Sequence, residues 1–210
     1  MTHPLLARDG LYAITDGPRA DLIEVCSAAL EGGARLLQYR DKTTDARRRL
    51  DEAGALAALC ARHNVPLIIN DDVELAAAVG AAGVHLGEDD SDVACARARL
   101  GAEAIIGTSC YDSLERARVL AAAGADYLAF GAFYSSPTKP HARNATPALL
   151  REAKGFGLPL VAIGGITPAN GAALIDAGAN YLAVISAVFG SADVRAAARE
   201  FGSLFGAKHS

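Results

Sequence analysis

A chain of 210 residues with 51% apolar and 21% charged side chains is able to bury one sizeable core, which excludes a disordered polymer. The net charge of −4 leaves no overall electrostatic footprint for nucleic acid, although it allows a local positive pocket for a small anion. The opening Met1-Thr2-His3-Pro4 lacks a basic segment followed by an apolar run, and no apolar stretch is long enough to span a bilayer, so a cytoplasmic protein is expected.

In chain order, strand-like runs are predicted at 11–15, 35–39, 67–70, 84–86, 104–107, 127–130, 160–163 and 181–185. Helical patterns fill the gaps at 21–31, 44–63, 72–79, 92–100, 113–122, 147–154, 168–176 and 193–205. The strand runs are too apolar to have a wet face, as in parallel strands covered by helices. Gly32-Gly33-Ala34, Gly80-Ala81-Ala82-Gly83, Gly124-Ala125-Asp126 and Gly178-Ala179-Asn180 each lie between a helical run and the next strand, where glycine ends the helix in a left-handed turn. No linker divides the chain. The pattern predicts an α/β protein, a single (β/α)8 TIM barrel with residues 1–210 as one catalytic domain, and an open doubly wound sheet as the alternative. Cys26, Cys60, Cys95 and Cys110 form no metal or redox spacing and are expected to be small reduced core residues.

The two ends of the predicted strands differ in chemistry. The turns before them carry Gly, Ala and Pro, whereas polar residues follow them, and a barrel gathers those ends on the face where such folds build active sites. Gln38-Tyr39-Arg40-Asp41-Lys42 ends the second run. Period-two spacing puts Gln38, Arg40 and Lys42 on one side, and Tyr39 and Asp41 on the other. One amide and two cations suit a ligand with a polar ring and a multiply charged phosphate, an exposed charged loop being the plain alternative. Thr43-Thr44 is expected to cap the next helix.

Asn70-Asp71-Asp72 ends the third run, with Asp72 placed as a helix cap, and Glu88-Asp89-Asp90 ends the fourth. Carboxylates from adjacent strand ends suit a shared hard cation, and magnesium is satisfied by one or two of them plus phosphate oxygens; two independently solvated loops are the alternative. Lys139 is a candidate third cation in the long connection 131–146, where Ser136 and Thr138 offer hydroxyls, and long loops of this kind often act as lids. Gly164-Gly165 after the seventh run and Ile185-Ser186 after the eighth fall where barrel enzymes usually bind phosphate. His85, between Val84 and Leu86, reads as a satisfied interior histidine. There is no Gly-x-Ser-x-Gly elbow and no Walker-type loop.

In order and spacing, Tyr12-Ala13-Ile14-Thr15-Asp16, Gln38 to Lys42, Asn70-Asp71, Gly83-Val84-His85-Leu86-Gly87, Pro137-Thr138-Lys139 and Ile163-Gly164-Gly165-Ile166 resemble the thiamine-phosphate synthase (thiamine-phosphate pyrophosphorylase) family. That resemblance implies a (β/α)8 enzyme joining 4-amino-2-methyl-5-(diphosphooxymethyl)pyrimidine to 4-methyl-5-(2-phosphooxyethyl)thiazole, or its carboxylated precursor, with release of diphosphate. It implies that Gln38 contacts the pyrimidine, that Arg40, Lys42, Asn70 and Lys139 hold the diphosphate, and that Asp71 and Asp90 bind Mg2+. Ser109 would lie by the pyrimidine and leaving group, and Ser136, Thr138, Gly165, Ile185 and Ser186 by the thiazole phosphate. Arg40, Lys42, Ser109 and Lys139 are the catalytic candidates. Two positions depart from the family pattern: Glu88 stands where many relatives have glutamine, and Ser136 replaces a threonine while keeping the hydroxyl. A thiazole tautomerase-like paralogue and a non-catalytic thiamine-phosphate-binding barrel are the rivals; the complete Gln-x-Arg-x-Lys set favours a synthase, because a tautomerase has no diphosphate to hold.

Overall fold

Side-chain alternation along each strand decides the architecture. In the computed structural model, which describes residues 3–88, 92–134 and 145–206, the strands are β1 (Gly10–Ile14), β2 (Leu36–Tyr39), β3 (Leu67–Asn70), β4 (Gly83–Leu86), β5 (Ile105–Tyr111), β6 (Tyr127–Phe130), β7 (Leu160–Ile163) and β8 (Tyr181–Val184). They alternate with α1 (Leu22–Glu31), α2 (Ala46–His63), α3 (Val73–Val79), α4 (Val93–Leu100), α5 (Leu114–Ala122), α6 (Pro147–Ala153) and α7 (Pro168–Ala177). A short α8 (Ser186–Phe189) and α9 (Val194–Gly206) follow β8, and 3-10 turns occupy Pro4–Leu6 and Lys154–Phe156. Every strand pair is parallel, and β8 closes on β1 from Gly10↔Tyr181 to Ala13↔Val184, so the sheet is an eight-stranded barrel rather than an open one.

Alternate residues serve two cores. Tyr12, Ile14, Leu36, Ile68, Ile105, Tyr127, Val161 and Tyr181 fill the barrel, with Leu6 packed against them from the first 3-10 turn. Their neighbours Leu11, Ala13, Leu37, Ile69, Val84 and Leu128 face the helices and join the larger outer core. A strand buried on both faces must be apolar throughout, which is why period-two polarity is missing from these runs.

The small-residue turns act as predicted. Gly33, Gly80, Gly124 and Gly178 have φ of 100°, 62°, 96° and 121°, a region a β-carbon disfavours. The polar third residue of the Gly-Ala-Asp/Asn turns fastens the preceding strand: Asp126 Oδ2 accepts from the Ile106 N–H at 2.7 Å, and Asn180 Oδ1 from the Leu160 N–H at 2.9 Å.

Three expectations need correction. The cap of α2 is Asp45, whose Oδ1 accepts from the Arg48 N–H at 3.0 Å; Thr43 lies too early and instead accepts from the Arg48 guanidinium. Cys26, Cys60 and Cys110 are buried, but Cys95 is exposed, because Val93 and Ala96 form the inward side of α4. Finally, β5 continues to Tyr111 through a register shift after Ser109, and Ser186 opens the short helix α8.

Candidate active site

The polar strand ends gather above the apolar barrel floor. At the end of β2 the chain alternates as its spacing predicts. Tyr39 and Asp41 turn toward α2, where the Tyr39 hydroxyl donates to Glu52 Oε2 at 2.6 Å and the Asp41 carboxylate meets the Arg48 guanidinium at 2.8 Å. Burial opposes ionisation of Asp41, yet the Thr43 N–H and Arg48 outweigh it and hold the carboxyl below the usual range. Gln38 takes the opposite side and is buried within the barrel. The Thr15 hydroxyl clasps the Arg40 backbone, accepting from its N–H at 2.8 Å and donating to its carbonyl at 3.1 Å, which fixes where this half-buried arginine leaves the strand.

Asp71 is the strained member of the site. Its φ of 63° is uncommon for a residue with a side chain, although aspartate tolerates it better than most. The Asp71 N–H is tied to the His85 carbonyl at 2.8 Å, linking the ends of β3 and β4. Its Oδ2 accepts from Lys42 Nζ and from Asn70 Nδ2, both at 2.6 Å. Three predicted site residues thus meet at one carboxylate oxygen. The Lys42 side chain is 61% exposed, so the ion pair contributes little to stability and an incoming anion can recruit the ammonium. A cleft of about 280 Å³ opens here, lined by Lys42, Thr43, Arg49, Asn70, Asp71 and Asp72. Asp72 caps α3, accepting from the Leu75 N–H at 2.9 Å, and its Oδ2 pairs with Arg49 at 2.8 Å.

Beneath this charged rim, neutral side chains form a continuous hydrogen-bonded path across the barrel. Gln38 Nε2 donates to the Tyr12 hydroxyl at 2.7 Å. The Tyr12 and Tyr127 hydroxyls lie 2.8 Å apart, Tyr127 is 2.9 Å from His85 Nδ1, and His85 Nε2 is 2.9 Å from Ser109 Oγ. Loss of water around His85 pushes its pKa down to about 4, against the smaller opposing pull of Asp71, so the imidazole is neutral at pH 7. Burial raises both phenols, which keeps them protonated. Tyr127 fits because residue 107 is glycine: a β-carbon there would fall 1.8 Å from the ring carbon bearing the hydroxyl.

Farther round the rim, Gly164 and Gly165 follow β7 with φ of 105° and 61°, Ile185 is partly buried, and Ser186 is exposed at the start of α8. Of the predicted site residues, Gln38, Arg40, Lys42, Asn70, Asp71, Ser109, Gly165, Ile185 and Ser186 all occupy the C-terminal ends of the strands or the loops just after them. Asp90, Ser136, Thr138 and Lys139, with the suggested lid, lie outside the described residues. The sequence gives no role to Tyr12, although it opens one of the family-like motifs, or to Tyr127, and it takes His85 no further than a satisfied interior residue. The available signal was three polar groups at inward strand positions, but nothing in the order of residues joins the first strand to the sixth.

Among the described residues no three acidic, histidine or cysteine side chains cluster as a metal cage, and no helix is long and apolar enough to cross a membrane. One strained carboxylate beside an amide and a lysine suits Mg2+, which takes few protein ligands and completes its shell with phosphate oxygens and water.

Known proteins resemble this chain over nearly its whole length. The thiamine monophosphate synthase family profile matches residues 11–188. The chain is 54% identical over 202 residues to thiamine-phosphate synthase of Chromobacterium violaceum, covering 95% of this chain and 98% of the relative. It is 57% identical over 194 residues to that of Xanthomonas campestris pv. campestris, covering 91% and 93%. The fold superposes with a TM-score of 0.87 on the solved thiamine phosphate pyrophosphorylase from Pyrococcus furiosus, at 34% identity and covering 97% and 98% of the two chains.

Proposed function

The chain belongs to the thiamine monophosphate synthase family and is a transferase that makes thiamine phosphate; from that premise we propose how its own residues carry the reaction. The substrates are 4-amino-2-methyl-5-(diphosphooxymethyl)pyrimidine and the phosphorylated thiazole, and the barrel acts as one catalytic domain. The observation that carries the reading is the meeting of Lys42 and Asn70 on Asp71 Oδ2, next to the strand end that bears Gln38.

Gln38 faces the pyrimidine, while Arg40, Lys42, Asn70 and Lys139 receive the diphosphate. The C–O bond between the exocyclic methylene and the diphosphate breaks with its electron pair on oxygen, and the ring and amino nitrogens spread the positive charge left on carbon. The thiazole nitrogen then supplies the pair for the new C–N bond. No proton need be removed, so neither step requires a strong base. Catalysis comes from fixed charges and orientation. Asp71 and Asp90 would hold Mg2+, which when bound offsets the charge of the departing diphosphate. Gly165, Ile185, Ser186, Ser136 and Thr138 would take the thiazole phosphate, in the region where barrels commonly bind phosphate.

The test is coupling by the purified chain, read as thiamine phosphate and diphosphate formed with Mg2+ and with a chelator. Chelation should abolish turnover. Arg40→Ala, Lys42→Ala and Asp71→Ala should each reduce it by about 100-fold, the usual effect of losing one preorganised charge partner. Near-normal coupling by Asp71→Ala would sink the metal assignment.

A further inference from the structure

The path from Gln38 to Ser109 has a direction. Gln38 Nε2 carries only hydrogens, so the Tyr12 oxygen must accept from it. Tyr12 is almost wholly buried, and among the described residues its own hydrogen has one hydrogen-bonded oxygen to go to, that of Tyr127. If Tyr127 donated to Tyr12 instead, the Tyr12 hydrogen would be stranded in the core, which is costly. Tyr127 therefore spends its hydrogen on His85 Nδ1, which must be the bare nitrogen. The imidazole proton then sits on Nε2 and is given to Ser109 Oγ, leaving the serine hydrogen free to point at a ligand.

We propose that Tyr12, Tyr127 and His85 are positioning residues that fix this direction, so that Gln38 presents its carbonyl oxygen to the pyrimidine amino group while Ser109 presents its hydrogen to the departing diphosphate oxygen. The inference rests on the substrate placement given above and deepens it. As the C–O bond opens, positive charge spreads to the 4-amino group and negative charge collects on the leaving oxygen. An acceptor at one end and a donor at the other match both charges, and each is set before the reaction begins. The hydrogens are held in place and none is transferred. Residues from five strands (β1, β2, β4, β5 and β6) contribute, and Gly107 makes room for the central phenol.

Three readouts test the proposal. In nitrogen-resolved NMR of the wild-type protein, His85 should be the Nε2–H tautomer; the Nδ1–H tautomer would overturn the direction. Tyr127→Phe should lower kcat about tenfold while KM for the pyrimidine changes less than about threefold, since Ser109 is left in place but loses its orientation. The double variant Tyr127→Phe/Ser109→Ala should be slower than Ser109→Ala by clearly less than the roughly tenfold that Tyr127→Phe costs alone, because with the serine hydroxyl gone only the Gln38 end is left to orient. Losses that multiply in the double variant, or an unchanged kcat in Tyr127→Phe, would refute the path. Should Tyr127→Phe fail to fold, Tyr12→Phe breaks the same chain one link earlier and enters the same comparison. Wild-type protein that forms no thiamine phosphate would count against the substrate reading, while the tautomer would still report on the hydrogen-bond direction.

Discussion

His85 shows how much one half-buried side chain can set. Both ring nitrogens are engaged, to Tyr127 and Ser109, and its pKa lies near 4 instead of the ordinary 6.5. In the unfolded chain the imidazole takes up a proton as pH falls below 6.5, whereas the folded state resists until about 4. The stabilisation is therefore complete above pH 6.5 and is lost as pH drops through that window, by roughly 3 kcal/mol. Urea unfolding at pH 7 and pH 4.5 checks this. Wild type should lose more stability between the two than His85→Gln does, and equal losses would show that the histidine is not the titrating group. Asp71 illustrates the reverse arrangement: its φ of 63° costs stability, and the return is a carboxylate aimed at Lys42 and Asn70.

At the scale of elements, a glycine in β5 decides whether the path across the barrel can exist. A β-carbon at residue 107 would lie 1.8 to 2.3 Å from three atoms of the Tyr127 ring, two ring carbons and the hydroxyl oxygen, and the buried ring has little room to retreat. Gly107→Ala should therefore cost about 1–3 kcal/mol by overpacking. It should also reduce coupling, because the phenol is pushed away from His85. Thermal unfolding and turnover measure the two effects; a variant as stable and active as wild type would contradict both. The elements themselves were legible in the sequence, most strand and helix bounds agreeing to within a residue or two, because buried parallel strands and Gly-Ala turns leave local signatures. The cap of α2 was not, since Thr43, Thr44 and Asp45 are all competent caps and only the path of the backbone brings Asp45 to the Arg48 amide.

At the scale of the molecule, closure of β8 on β1 converts a linear list of polar residues into a ring of neighbours. Gln38, Arg40, Lys42 and Asp71 were legible because each follows an apolar strand, and barrel topology sends all such positions to one face. The joining of Tyr12 to Tyr127 was not legible: the residues are 115 positions apart, and their meeting depends on barrel diameter and on the space at Gly107, neither of which is written locally.

A chain of hydrogen bonds whose direction is set at its Gln38 end also acts as a filter on the ring it holds. Replace the 4-amino group by a 4-oxo group, as hydrolytic deamination would, and the ring offers an acceptor where it had offered a donor. To hold that ring Gln38 must turn its amide over, and the reversal passes hand to hand through Tyr12, Tyr127 and His85 until Ser109 faces the leaving group with a lone pair. The 4-oxo analogue should therefore bind yet react about 100-fold more slowly than the amino substrate, since a site built to pair one polar group rejects its inverse strongly. Single-turnover rates and competition constants separate the two effects, and part of the slowing belongs to the ring, which stabilises cation less well without its amine. The share that belongs to the protein is what Tyr127→Phe removes: in that variant the preference for the amino ring should shrink about tenfold. A damaged pyrimidine would then occupy the site without being built into product, screened by the parity of its hydrogens at a point several residues away from the bond that breaks.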